Sequence, residues 1–158
     1  MIGISIILGV AAIWDKRKGL DDFITLSERL RDDYQIILVG LAKDQLNNLP
    51  DRIIGISHTN SVHELADLYS IADVFVNPTY EDNYPTTNLE AIACGTPVIT
   101  YVTGGSPESA EMYGKSVPKR DFSQVVCEIE KVGIIQPGEV DIDYKNTVNK
   151  YVELYKRI

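Results

Sequence analysis

Five brief runs rich in Ile and Val recur along this chain, and between them lie segments whose apolar residues fall three and four positions apart. The first run carries Ile2, Ile4, Ile6, Ile7 and Leu8. QIILVG at 35–40, RIIGIS at 52–57, DVFVNP at 73–78 and PVITY at 97–101 follow, and SVP at 116–118 is short enough to be a last strand. Residues 20–32 place Leu20, Phe23, Ile24, Leu26 and Leu30 on one helical face. Residues 43–50 suit a short helix stopped by Pro50, and Ser61 to Glu64 is a capping box opening a helix to about Ile71. Ser106-Pro107 has the order of an N-cap followed by the first helical residue, and 121–132 and 143–157 suit closing helices joined by a connector over 133–142.

Strands that alternate with helices predict βαβ units and therefore an α/β fold with a doubly wound parallel sheet, Rossmann-like. The first run begins so near Met1 that it reads as a core strand buried on both faces, which suggests a piece of something longer. It lacks a charged leader and is too short to span a bilayer. In this architecture ligands bind at the carboxyl ends of strands. The loops so placed are WDKRKG at 14–19, SHTNS at 57–61, PTYEDNYPTT at 78–87 and GGSP at 104–107.

Charge narrows the ligand. With 15 Lys and Arg against 23 Asp and Glu, a net charge of -8 argues against nucleic acid and against attachment to anionic lipid by charge alone. Two cysteines, Cys94 and Cys127, make no disulfide framework, and no Cys/His metal spacing occurs. At 158 residues the chain has the size of one domain.

The informative stretch is TYEDNYPTTNLEAIACGTPVITY, residues 79–101. Thr87-Asn88-Leu89-Glu90 matches a capping box, so Glu90 could simply accept the N-cap amide. The spacing Asp82-x7-Glu90 around a helix amino end also fits a ligand. Free amides of a first turn attract phosphate, and flanking carboxylates accept bonds from vicinal hydroxyls. A ligand that is both sugar and phosphate answers both demands.

The same stretch resembles the E-x7-E segment of retaining, metal-independent glycosyltransferases of family 4, which have the two-domain GT-B fold. The resemblance runs from Asp82 through Leu89-Glu90-Ala91 to Cys94-Gly95-Thr96-Pro97-Val98-Ile99, and extends to the segments 9–24, 64–78 and 102–108. It implies that residues 1–158 form one donor-binding, carboxyl-terminal domain, half of a GT-B fold, without the acceptor-binding amino-terminal domain. By the same resemblance Glu90 takes the donor ribose, and Asp82 is the catalytic residue that bonds the transferred sugar and steadies positive charge at its anomeric carbon. Amides of Asn83, Tyr84, Thr86 and Thr87 approach sugar or diphosphate, Lys18 neutralises the leaving group, and Gly9 lets the first loop come close. No cofactor and no metal are expected; Lys, Arg and helix amides supply the positive charge.

Three positions depart from the family pattern. Val10-Ala11 stand where Arg often follows the first-loop glycine, leaving Arg17 to serve instead. Either Glu81 or Asp82 is the first acid, and Pro85 replaces a common Gly, removing one amide donor. Lys16 reads as a solvated turn residue, and His58 as a surface histidine or else a neighbour of the nucleobase. Trp14 either underlies a base or covers its loop; Gly104 and Gly105 serve turn geometry; Leu65, Leu68 and Tyr69 are core; and Tyr144, Val148, Tyr151, Val152 and Tyr155 form a helical stripe. The implied partners are a UDP- or GDP-linked sugar and, through the missing domain, a glycan or lipid-linked acceptor. The implied location is cytoplasmic, peripheral to the inner membrane face in the whole enzyme. A chain of this kind binds nucleotide but transfers nothing alone. The alternative is a non-catalytic nucleotide-binding module or degenerate partner subunit, which the missing arginine keeps open.

Overall fold

The computed structural model describes residues 3–135 together with residues 152, 153 and 156. Six parallel strands form one sheet in the order β3-β2-β1-β4-β5-β6. They are β1 (Ser5–Val10), β2 (Tyr34–Val39), β3 (Ile53–Ile56), β4 (Val74–Asn77), β5 (Val98–Tyr101) and β6 (Gly114–Val117). The helices between and after them are α1 (Leu20–Arg29), α2 (Lys43–Asn47), α3 (Val62–Ile71), α4 (Thr86–Ala93), α5 (Ser106–Met112) and α6 (Phe122–Glu130), with a 3-10 turn at Val132–Ile134. This is the doubly wound Rossmann-like order, and strand direction of winding reverses between β1 and β4.

Alternate residues of the central strands supply the two layers of core. Ile7 of β1, Ile36 and Leu38 of β2, Val74 and Val76 of β4 and Ile99 of β5 pack with Phe23 and Leu26 of α1 and Val125 and Ile129 of α6. Their neighbours Leu8, Val39, Phe75 and Val98 pack on the other face with Tyr69 of α3 and Ala91 and Ile92 of α4. Burial on both faces is why these strands read as near-continuous apolar runs. Leu65 and Leu68 are half-buried against the second layer.

Three local expectations change, and a fourth lies mostly outside the described residues. The first strand begins at Ser5; Ile4 lies outside it and is 68% exposed, and Ile2 lies outside the described residues. Ser61 does cap α3, accepting the amide of Glu64 at 3.1 Å, but the Glu64 carboxylate reaches the amide of Asn60, at 2.7 Å. Gly105 takes the N-cap position of α5, so Ser106 is its first residue and Pro107 its second. Ser106 is fully buried, and the chain turns one residue earlier because Gly105 must approach the Asn83 carbonyl. Most of the predicted closing helix over 143–157, including Tyr144, Val148, Tyr151 and Tyr155, lies outside the described residues.

Candidate functional site

The carboxyl ends of β1 and β4 face a cleft of about 330 Å³, at the point where the winding reverses. Val10 and the loop after it form one wall; Val76 and Asn77 of β4 and Thr87 of α4 form the other. Such a crevice arises because the two adjacent loops leave the sheet in opposite directions, towards helices on opposite faces.

Asp15 organises the first loop. Its Oδ1 accepts the amides of Arg17 (2.9 Å) and Lys18 (3.1 Å), and its Oδ2 accepts the Arg17 Nε at 3.1 Å. Desolvation opposes ionisation of Asp15, yet the Arg17 guanidinium and these amides outweigh it and hold the carboxyl below its ordinary range. The Arg17 charge is thus already engaged, on a side chain 63% exposed. Lys18 points the other way. Its Nζ donates to Asp82 Oδ2 at 2.9 Å, joining the first loop to the loop before α4.

That second loop is clasped in place from several sides. The Tyr80 amide donates to the Arg17 carbonyl at 2.7 Å, immediately before Lys18, and the Thr79 hydroxyl lies between the carbonyls of Glu81 (3.1 Å) and Arg17 (3.3 Å). Gly19, with φ +82°, sits so near that a Cβ there would stand 2.4 Å from the Pro78 carbonyl oxygen. Beneath the loop lies Asp22, buried in α1, whose Oδ2 accepts hydroxyls from Tyr80 and Tyr101, each at 2.6 Å. Burial and then the Asp22 carboxylate push the Tyr80 hydroxyl up to about 12, and the same causes raise Tyr101. Behind the loop, Gly104 (φ +48°) lies where a Cβ would meet the Asp82 carbonyl oxygen, and Gly105 donates its amide to the Asn83 carbonyl at 2.9 Å. The glycine pair therefore serves turn geometry and close approach together.

Helix α4 begins directly after Pro85, which offers no side-chain cap; the Asn88 amide donates to the Pro85 carbonyl at 3.2 Å, and the amides of Thr86 and Thr87 open the helix. Thr87 is the second helical residue, and Glu90 the fifth, so the expected Thr87–Glu90 capping box does not form. Glu90 instead accepts the Tyr69 hydroxyl of α3 at 3.0 Å. Burial, and secondarily Glu90, raises that hydroxyl's pKa. Below the helix start, Asn77 donates to the Asn88 side chain and Asn88 to the Ser109 hydroxyl, both at 2.9 Å. This buried ladder ties β4, α4 and α5 together.

Lys18, Arg17, Asp82 and Thr87 thus gather at one cleft or its rim. Of the two candidate first acids, Glu81 is exposed and Asp82 meets Lys18. Asn83 and Tyr84 follow Asp82 on the exposed loop, and Thr86 opens α4 at the surface. Glu90 is one helical turn beyond Thr87, exposed, on the side towards α3. Gly9 has a different reason to be small: a Cβ there would stand 2.6 Å from Phe23 and 2.8 Å from Leu38 in the core. Trp14 is buried, bonded through Nε1 to the Val39 carbonyl and packed edge-on against Phe23, while its backbone neighbours line the cleft. His58 is exposed and outside the cleft lining. Asp22, Asn77 and Asn88 have no sequence signature beyond being polar residues inside apolar segments. Among the described residues no group of three or more His, Cys, Asp or Glu could hold a metal ion, and no helix is long and apolar enough to cross a membrane.

Residues 5–132 match the model of a family described as glycosyl transferases group 1. The chain is 34% identical over 107 residues to the alpha-galactosylglucosyldiacylglycerol synthase of Streptococcus pneumoniae, covering 60% of this chain and 28% of that protein. Sucrose-phosphate synthase from Thermosynechococcus elongatus superposes with a TM-score of 0.71 at 28% identity, over 85% of this chain and 37% of that one. Anabaena HepE in complex with UDP superposes with a TM-score of 0.66 at 16% identity, over 82% of this chain and 39% of that one, and has also been solved with UDP-glucose. The chain spans 27% to 45% of the length of the first curated relatives it matches.

Proposed function

The chain belongs to the glycosyl transferases group 1 family, and on that footing we propose that it is the carboxyl-terminal, donor-binding domain of a retaining, metal-independent glycosyltransferase of the GT-B fold. The observation that carries this reading is the 2.9 Å approach of Lys18 to Asp82 at the switch-point cleft, beside the uncapped start of α4. A cation, a carboxylate and helix amides around one crevice are the groups that a sugar joined to a diphosphate requires.

In this reading Lys18 and the first-turn amides of Thr86 and Thr87 take the diphosphate, with Asn83, Tyr84 and Arg17 at the rim. Asp82 takes hydroxyls of the transferred sugar and supports positive charge at its anomeric carbon; Glu90 takes the ribose, exchanging its bond from Tyr69. Charge that develops on the departing nucleoside diphosphate is met by Lys18 and the helix, so no metal is needed. Gly9 lets the first loop come close to the donor and leaves room for Phe23 and Leu38. A glycan or lipid-linked acceptor is bound by the other GT-B domain, and the whole enzyme works in the cytoplasm at the inner membrane face.

Calorimetric titration with UDP, GDP and UDP-glucose tests this. We expect binding that is indifferent to EDTA and falls roughly tenfold to a hundredfold in Lys18→Ala, the range of a charge-assisted contact to phosphate. Glu90→Ala weakens nucleotide without altering inorganic pyrophosphate. Absence of any binding at millimolar ligand would sink the assignment, as would detectable sugar transfer by residues 1–158 alone for the acceptor-domain part of it.

A further inference from the structure

We propose that Asp82 makes the cleft discriminate against bare nucleoside diphosphate in favour of nucleotide sugar, by occupying Lys18 until a ligand can replace both partners of the ion pair. The inference rests on the donor-site reading above and adds a property to it.

Four features support it. First, Lys18 and Asp82 bind each other directly, at 2.9 Å, with side chains 33% and 18% exposed. The pair is sheltered enough to matter and open enough to be displaced. Second, Lys18 is the lining cation that meets Asp82. Arg17 also lines the cleft but bonds Asp15, and Lys16 is exposed and outside the lining. A phosphate that takes the Lys18 ammonium takes it from Asp82. Third, the acid cannot retreat with its backbone. Its carbonyl is backed by Gly104, the next carbonyl is bonded by Gly105, and the Tyr80 amide anchors the loop two residues earlier on Arg17. Only the side chain can turn. Fourth, the two ligands offer different exchanges. A nucleotide sugar takes Lys18 with its diphosphate and returns hydroxyl donors to Asp82. Free nucleoside diphosphate takes Lys18 and returns nothing, and it leaves a half-buried carboxylate unpaired beside like charge.

The consequence reaches turnover. Once the sugar has left, the remaining nucleoside diphosphate faces an acid with no partner, and re-forming the Lys18–Asp82 pair helps expel it. Asp82 thereby favours substrate over product at the same phosphate site.

A double-mutant cycle over Lys18 and Asp82 tests the idea, using calorimetry at fixed ionic strength with UDP, GDP, UDP-glucose and GDP-glucose. For the base that the wild-type chain prefers, Asp82→Asn is expected to bind nucleoside diphosphate roughly twofold to fivefold more tightly, the worth of a partly exposed ion pair. Its affinity for the sugar nucleotide does not rise, so the ratio between the two ligands collapses. The gain shrinks when Lys18 is already Ala. Asp82→Ser, with a thermal melt on each variant, guards against misfolding of the Asn form. If Asp82→Asn binds nucleoside diphosphate no more tightly while Lys18→Ala still loses it, the inference fails and the donor site stands. An equal gain for both ligands also overturns it. If no variant and no wild-type sample binds nucleotide, the donor site and this inference fall together.

Discussion

Asp22 and Asp82 lie on either side of the same loop, and they are held in opposite ways. Asp22 is 6% exposed and receives two neutral hydroxyls, from Tyr80 and Tyr101. Asp82 sits at the mouth of the cleft and receives one ammonium, from Lys18. Hydroxyls fixed by aromatic rings in the core have nowhere else to go, so the Asp22 contact is permanent. A lysine on a flexible stem can change partners, so the Asp82 contact is exchangeable. The two carboxylates divide the labour of the loop: one holds it still, the other meets what arrives.

Removing each acid is the most forceful way to break the contrast. Asp22→Ala leaves two sheltered hydroxyls without their acceptor and should cost about 3 kcal/mol of stability. Asp82→Ala should cost less than about 1 kcal/mol, as is usual for partly exposed pairs. Urea denaturation measures both, and equal losses would erase the distinction.

Gly104→Ala probes the support behind Asp82 without touching either acid. Its backbone is left-handed, and an added Cβ would collide with the Asp82 carbonyl. The loop must shift, at about 1–2 kcal/mol in stability. Nucleotide affinity should fall further than in Gly95→Ala, where φ is +82° but no atom lies within 4 Å. Matching losses at the two glycines would show that loop position is not what the cleft depends on.

The mildest test uses pH. In the unfolded chain tyrosine hydroxyls ionise near 10, whereas folded Tyr80 holds its proton to about 12 because burial and then Asp22 disfavour the phenolate. A raised folded pKa contributes stability that is complete below pH 10 and is lost as pH climbs towards 12. Stability of the wild-type chain should therefore decline over that interval. Tyr80→Phe should decline less steeply, and identical slopes would remove Tyr80 from the account.

Much of this was legible in the chain. Consecutive apolar residues such as Ile7 and Leu8, or Val74, Phe75 and Val76, read as strands buried on both faces because in a parallel sheet each face carries helices. The motif Asp82-x7-Glu90 with its flanking segments pointed to the family that the match over residues 5–132 shows. Boundaries that hinged on one or two residues were not legible. Ser106 has the chemistry of an N-cap, but a contact with Asn83, distant in sequence, required glycine at the turn and moved the cap to Gly105. Thr87 and Glu90 have capping-box spacing, but Pro85 starts the helix and Tyr69, from another helix, claims the carboxylate. Gly9 suggested a ligand's approach, and the need of Phe23 and Leu38 for the same small residue was not legible.

By itself the order of residues determined which segments form strands, which faces of the helices are apolar, and which loops lead from a strand into the next helix, since all of these follow from local periodicity. Only the tertiary structure decided which charges meet. That Lys18 faces Asp82 across 64 positions and that Asp22 lies under Tyr80 depend on how β1 and β4 come to be neighbours. Side-chain partners at such separations are chosen by the crossing of two loops, and no local pattern along the chain records that crossing.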